Sequence, residues 1–331
     1  MPLVLVLMAM ILHEGAARAG SSSAPDSPST ADRRSGGQGS GPSAPRESAR
    51  IFVSLAQAQA LITQGSTVLD ARARGFWLGH LPAAQPVDWR DFVDGWGRTG
   101  RLHPDAAAMA ARLAALGVDA TRPVLVYGDA QTGYGEEGRI AWLLSYLGHT
   151  QVHILDGGIA AWRRAGQALV RGPAGRPARV GTLSPLAQAG LRSEKAQVQA
   201  AQQGQAGQPK SLIVDVRSLD EWQGATLYLE ARGGHIPGAV HLPWLGLLDG
   251  QGTLRDAATL LRDLAALGLQ DPQKEDRPIV VYCTGGVRSA FVWAILRDLG
   301  YRHVRNYDGS FWEWAADRSL PVEKTAAPAH R

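Results

Sequence analysis

Ile279-Val280-Val281-Tyr282-Cys283-Thr284-Gly285-Gly286-Val287-Arg288-Ser289 sets the only cysteine of the 331-residue chain after four β-prone apolar residues and just before a glycine pair. Beyond the glycines, Ala290, Phe291, Ala294, Ile295 and Leu299 recur at helical spacing, so the stretch reads strand, tight loop, helix. In such a turn the loop amides and the first free N–H groups of the helix point inward, and the positive helix end favours negative charge. Arg288 adds a full cation. A cysteine so placed is expected to have a depressed pKa, because amides, dipole and guanidinium stabilise thiolate over thiol; comparable sites lie at roughly 3.5 to 7.5. A lone cysteine in an apolar strand is more often a small buried hydrophobe. Packing of that kind requires neither Gly285-Gly286 nor Arg288 beside the sulfur. Cys283 is therefore read as a nucleophile, and Thr284, Gly285, Gly286, Val287, Arg288 and Ser289 as the cradle for its anionic substrate.

Tyr282 to Ser289 resembles the active-site loop of the rhodanese family, sulfurtransferases whose cysteine becomes a persulfide. Leu212-Ile213-Val214-Asp215-Val216-Arg217, Gly234-His235-Ile236-Pro237-Gly238-Ala239 and Tyr307-Asp308-Gly309-Ser310-Phe311-Trp312-Glu313-Trp314 resemble the family's other marks, in the family's order. The resemblance implies a tandem thiosulfate or 3-mercaptopyruvate sulfurtransferase.

The chain contains an internal repeat. Leu69-Asp70-Ala71-Arg72 echoes Val214-Asp215-Val216-Arg217, Gly79-His80-Leu81-Pro82 echoes Gly234-His235-Ile236-Pro237, and Val124-Leu125-Val126-Tyr127 echoes Ile279-Val280-Val281-Tyr282. The interval from His80 to His235 equals that from Tyr127 to Tyr282, and Trp162 to Trp314 nearly matches it, as expected of a duplication. Within each copy short apolar strands alternate with helical patterns, the signature of an α/β domain with a parallel sheet covered by helices. The first copy is expected to carry a helix over 54–63, strands over 67–70, 124–127 and 152–155, and a helix over 138–147. In the second, helices over 194–203 and 289–299 accompany strands over 211–215, 279–282 and 303–307. The domains are placed at 50–171 and 191–324, joined by a linker over 172–190 in which Gly172-Pro173-Ala174-Gly175-Arg176-Pro177 breaks both periodicities. At the position of Cys283 the first copy has Gly128, so it cannot form a persulfide and is expected to wall one side of the cleft.

Ahead of the repeat, Leu3 to Leu12 form an apolar run too short to span a bilayer but suited to a signal-peptide core, and Ala17-Arg18-Ala19 supplies a small-x-small cleavage pattern. Residues 1–19 are read as a signal peptide and the product as periplasmic or secreted, although no Lys or Arg precedes the run and a cytoplasmic enzyme with an apolar extension is the alternative. Residues 20–49, rich in Ser, Gly and Pro, are read as a flexible tether. One cysteine cannot close an intramolecular disulfide and does not decide the compartment. A net charge of +4, with no Lys or Arg cluster, excludes nucleic acid as an expected partner.

The expected partners are a small anionic sulfur donor and a thiol or cyanide acceptor, with no metal or organic cofactor, no stable membrane insertion and a monomeric chain. Thiosulfate is the expected donor, since a compact dianion suits a small amide cradle with one arginine. Related phosphatases space cysteine and arginine more widely, whereas only Thr284 to Val287 intervene here. A persulfide carrier serving one partner is the non-enzymatic alternative. Two-domain family members carry an arginine where Glu221 stands, and some have a basic residue where Gly285 stands. The supporting candidates are Asp215, Arg217 and Arg232. Asp215 and Arg217 read as a buried ion pair fixing the loop, because Asp70 and Arg72 repeat them, and Asp215 is also placed to orient Arg288. Arg232 is either a second cation for the donor or a solvated loop arginine. His235, matched by His80, reads as a turn histidine.

Overall fold

Thr67-Val68-Leu69-Asp70 and Leu212-Ile213-Val214-Asp215, the strand pair expected from the repeat, occupy equivalent places in two separate sheets. The computed structural model describes residues 50–95, 99–204 and 210–324. The expected signal peptide and tether lie outside the described residues.

In the first copy, β1 (Phe52–Val53) leads into α1 (Leu55–Thr63). A capping box starts this helix: Ser54 Oγ accepts from the Gln57 N–H and the Gln57 side chain accepts from the Ser54 N–H. Then come β2 (Thr67–Asp70), β3 (Gln85–Pro86), α2 (Ala106–Ala115), β4 (Val124–Tyr127), α3 (Glu136–Tyr146), β5 (Val152–Leu155) and α4 (Gly158–Arg164). The second copy repeats the plan with β6 (Arg192–Ser193), α5 (Lys195–Gln203), β7 (Leu212–Asp215), α6 (Leu219–Gln223), β8 (Val240–His241), α7 (Ala257–Ala266), β9 (Ile279–Tyr282), α8 (Arg288–Asp298), β10 (Val304–Tyr307) and α9 (Ser310–Ala316).

Both sheets are parallel, in the orders β1-β5-β4-β2-β3 and β6-β10-β9-β7-β8. The α/β class with two parallel-sheet domains is thus as expected. The central strands β4 and β9 are apolar and buried throughout, as strands covered on both faces must be. Register is duplicated too: Asp70 lies opposite Tyr127, and Asp215 opposite Tyr282. The α3 helix begins two residues before the expected Gly138, because apolar spacing does not register Glu136 and Glu137, which the positive helix end favours.

Residues 172–190, expected as a linker, are laid along the first copy by backbone bonds. Gly181 donates to Ala114 O at 2.9 Å, Leu186 to Leu147 O at 3.0 Å and Gln188 to Tyr146 O at 2.7 Å. The copies meet through α3 and α8. Asp298, at the end of α8, accepts the Ile51 N–H at 2.6 Å, and Phe52 meets Phe291 edge to face at 5.5 Å.

Asp215 and Arg217 form a fully buried pair at 2.6 Å, and Arg217 Nη2 also donates to Gly234 O at 2.7 Å. Asp70, fully buried, and Arg72, partly buried, pair at 2.5 Å, with Gly79 O at 2.8 Å. Each pair pins the Gly-His-x-Pro turn to the strand end, while the tyrosine opposite donates to or lies beside the same aspartate and accepts the Leu81 or Ile236 N–H. Removing one partner leaves a buried charge unpaired, at a cost of about 3–5 kcal/mol. Urea unfolding of Asp215→Ala and Asp70→Ala is expected to show losses of that order in both copies; midpoints matching the wild type would show that the pairs contribute nothing.

Candidate active site

Cys283 follows the last residue of β9, at the carboxyl edge where open parallel sheets gather their functional loops. Its Cβ side is buried by the returning chain: the Cys283 N–H donates to Ser310 Oγ at 3.1 Å, and Phe311 N and Trp312 N donate to Cys283 O and Thr284 O at 3.0 and 2.9 Å. The Gly286 N–H points at Sγ from 3.1 Å. Burial alone would raise the thiol, but the Arg288 guanidinium and the N–H groups of Ser289 and Gly285 outweigh it and hold Cys283 below its ordinary value. Ser289 Oγ lies 3.6 Å from Sγ and gives its proton to Asn306 Oδ1 at 2.6 Å, and Asn306 Nδ2 in turn donates to Gly286 O at 3.1 Å.

Each loop glycine is required by a neighbour. A Cβ on Gly285 would lie 2.4 Å from the Trp312 ring, which explains why the basic residue some relatives carry there is absent. Gly286 has φ +77°, and a Cβ on it would meet the Asp308 carbonyl at 2.5 Å.

Arg288 is paired, though not with the Asp215 that the sequence placed to orient it. It forms a bidentate pair with Glu221, Nη1 to Oε2 at 2.7 Å and Nη2 to Oε1 at 2.8 Å, and Nη2 also donates to Thr284 Oγ1 at 2.6 Å. Thr284 Oγ1 donates back to Glu221 Oε1 at 2.6 Å, and the Tyr228 ring covers the guanidinium at 5.2 Å. Burial would raise the Glu221 carboxyl, but Arg288 and Thr284 hold it at about 2. Glu221, rather than Asp215, therefore orients Arg288; Asp215 is committed to Arg217. The departure at Glu221 and the loop arginine are thus two halves of one contact. The capping box between Ser218 and Glu221 fixes that carboxylate at the start of α6.

Arg232 is corrected on both readings, being neither a second cation for the donor nor a solvated arginine. Its guanidinium donates to the carbonyls of Ala315 at 2.9 Å, Leu320 at 2.9 Å and Asp317 at 2.7 Å, closing the end of α9. His235 stacks on Trp222 at 3.4 Å and meets the Trp222 carbonyl at 3.0 Å, and His80 stacks on Phe76 at 3.9 Å in the first copy, a turn role in both.

A cavity of about 160 Å³ opens over Sγ. From the loop, Thr284, Gly285, Val287 and Arg288 line it, whereas Gly286 and Ser289 lie behind the sulfur. Tyr228 and Trp312 form one wall, and the first copy supplies the other with Trp89, Tyr134 and Glu136. Trp244, Phe311 and Trp314 of the second copy are core and do not line the cavity. The rest of the wall was not legible, since Trp89, at the start of a short 3-10 helix, and Tyr134, in a loop, belong to the copy without a cysteine. In that copy a Cβ on Gly128 would sit 2.0 Å from Glu137 Oε2, so the Glu137 carboxyl fills the space that sulfur takes in the second. Burial pushes it up to about 8.

The Rhodanese-like domain family matches residues 54–165 and again 196–317. Among curated proteins, the thiosulfate sulfurtransferase of Pseudomonas aeruginosa is 34% identical over 245 residues, covering 74% of this chain and 86% of that one. The sulfur carrier protein TtuD of Thermus thermophilus is 32% identical over 256 residues with the same coverage. Among solved structures, the anaerobic ergothioneine biosynthesis enzyme from Chlorobium limicola has a TM-score of 0.73 at 22% identity, covering 85% of this chain and 72% of that chain. YnjE has a TM-score of 0.70 at 24% identity, covering 84% and 69%. At those identities the likeness to the solved structures is one of fold.

The arrangement can hold a thiolate, and this is measurable. The rate of Cys283 alkylation by iodoacetamide is expected to reach half its plateau below the ordinary thiol value of about 8.5. Arg288→Ala is expected to move the profile to higher pH, since it removes the cation and leaves the Glu221 charge. A wild-type profile centred on the ordinary value would contradict the geometry.

Proposed function

Since the chain belongs to the rhodanese family of sulfurtransferase enzymes, we propose that it moves sulfane sulfur from thiosulfate to a thiophilic acceptor through a persulfide on Cys283. The observation that carries this reading is the Gly286 N–H aimed at a buried Sγ that its surroundings hold toward the thiolate. The Cys283 thiolate attacks the outer sulfur of thiosulfate, the sulfur–sulfur bond breaks, and sulfite leaves with the bonding pair. Cyanide or a thiolate then takes the outer sulfur and restores the Cys283 thiolate, so the kinetics are ping-pong.

Thiosulfate fits this cavity because its charge spreads over several oxygens that loop amides can share. Arg288 already serves Glu221, and burial raises the Glu136 carboxyl at the cavity wall. Mercaptopyruvate would need a cation for its carboxylate, and Arg232 does not supply one. The first copy takes a structural part in this reading, closing the cavity with Trp89 and Tyr134. The curated relative named as a sulfur carrier favours a second reading, in which the persulfide is delivered to one protein partner. Export to the periplasm, from the apolar run and Ala17-Arg18-Ala19, belongs to the same proposal, and the first residue of the purified mature protein checks it.

Mass spectrometry after thiosulfate treatment is expected to show about 32 Da added at Cys283 and nothing added in Cys283→Ser. Steady-state cyanide assays should then show many turnovers, with thiosulfate the better donor. No added sulfur with thiosulfate or mercaptopyruvate would reject the sulfurtransferase mechanism; a single loading without turnover would favour the carrier.

A further inference from the structure

Arg139 belongs to the first copy, yet its guanidinium ends under the loop of the second. It lies in the first turns of α3, is 1% exposed, and stacks over the Trp142 ring at 4.8 Å. Nη1 donates to Gly286 O at 3.2 Å and Nη2 to Gly100 O. Gly100, also in the first copy, faces the preceding peptide: a Cβ there would lie 1.8 Å from Gly285 O and 2.4 Å from Asp308 O. Two successive carbonyls of the loop, Gly285 and Gly286, are therefore turned toward the first copy, one pressed on Gly100 and one bonded to Arg139.

A trans peptide sends its N–H the opposite way from its carbonyl, and none of the described peptides is cis. With the Gly285 carbonyl held against Gly100, the Gly286 N–H must face Sγ, as it does at 3.1 Å. With the Gly286 carbonyl held by Arg139 and Asn306, the Val287 N–H is turned away from the first copy, and Val287 lines the cavity. A carbonyl free to flip would instead present its oxygen to the sulfur and repel a thiolate. Arg288 shares its charge with Glu221, whereas Arg139 is bonded to loop carbonyls and lies within electrostatic reach of Asp308, Arg192 and Cys283. Asp308 is in turn occupied by the Leu102 N–H at 2.7 Å and by Arg192 at 3.0 Å. Burial pulls Arg139 down to about 10, which still leaves it charged at neutral pH.

We propose that Arg139 is a positioning residue for Cys283, locking the Gly285 and Gly286 carbonyls on the side of the first copy so that the Gly286 N–H stays toward the sulfur, and setting a buried cation one peptide behind the thiolate. This rests on the reading of Cys283 as the persulfide-forming nucleophile. The first copy, having no thiol, would act on the reaction through this residue.

The test is the pH profile of Cys283 alkylation in Arg139→Met, Arg139→Gln and Arg139→Lys, with thermal melting to select folded protein. Methionine conserves much of the volume, a replacement that buried ionic sites often tolerate. In the Met and Gln variants the profile is expected to move up by about one pH unit, which is about tenfold less thiolate below the midpoint, and kcat for sulfur transfer should fall more than KM rises. Arg139→Lys keeps the charge without the fork that spans two carbonyls, so its profile should stay near the wild type. A folded Met or Gln variant whose profile overlies the wild type, or a lysine variant displaced as far as they are, would overturn the proposal. Alkylation does not depend on sulfur transfer, so failure of the persulfide mechanism would show separately, as absent loading in the wild type.

Discussion

The contact on which the arrangement depends is the crossing of α3 and α8. A Cβ on Gly138 would lie 2.3 Å from the Phe291 Cα, so the two backbones approach as closely as a glycine permits. Both helices begin at a loop of the carboxyl sheet edge, and the crossing falls in their first turns. The start of one copy's helix is therefore brought against the other's loop. Arg139, one residue beyond Gly138, reaches Gly286 for that reason. Close approach at one glycine converts a duplicated domain into the back of an active site.

Charge is distributed around this crossing in an unexpected way. The loop arginine is paired with a carboxylate from its own domain, and the buried cation behind the loop comes from the other. Near the sulfur, the Arg288 charge is joined by backbone N–H groups and by the end of α8. Such dipoles do not reorganise when a charge forms, which suits a step in which negative charge moves from a thiolate to a leaving anion. The first copy keeps the strand, the loop and the helix but fills the sulfur position with the Glu137 carboxyl. Its Asp-x-Arg pair and turn histidine persist because they serve the sheet edge and not the chemistry.

Much of the fold was legible because it rests on local signals. Four-residue apolar strands ending in aspartate or tyrosine, the Gly-His-x-Pro turns and the glycine pair after Cys283 each imply their geometry, and their recurrence in order implies two domains. The starts of α3 and α8, opened by Glu136 and Arg288, were read late by two residues and by one, and those of α1 and α5 early by one. The Ala-rich α2 and the short α6 were not read at all, since neither carries a long apolar period. At the site, the loop residues could be named from the sequence, but their partners could not. Glu221 was seen as a missing arginine, and only its approach to Arg288 shows it to be the other half of an ion pair. Arg232 looked free because the carbonyls it binds come from a helix more than eighty positions away.

The sequence by itself determined the strand-loop-helix around Cys283, the duplicated α/β plan and the absence of a thiol from the first copy, because each follows from residue type and short-range spacing. Only the tertiary structure decided which side chains face the sulfur, which cation is already paired and which residues of the first copy wall the cavity. Those outcomes depend on the distance between backbones at Gly138 and Phe291, and no local propensity encodes a meeting between residues so far apart along the chain.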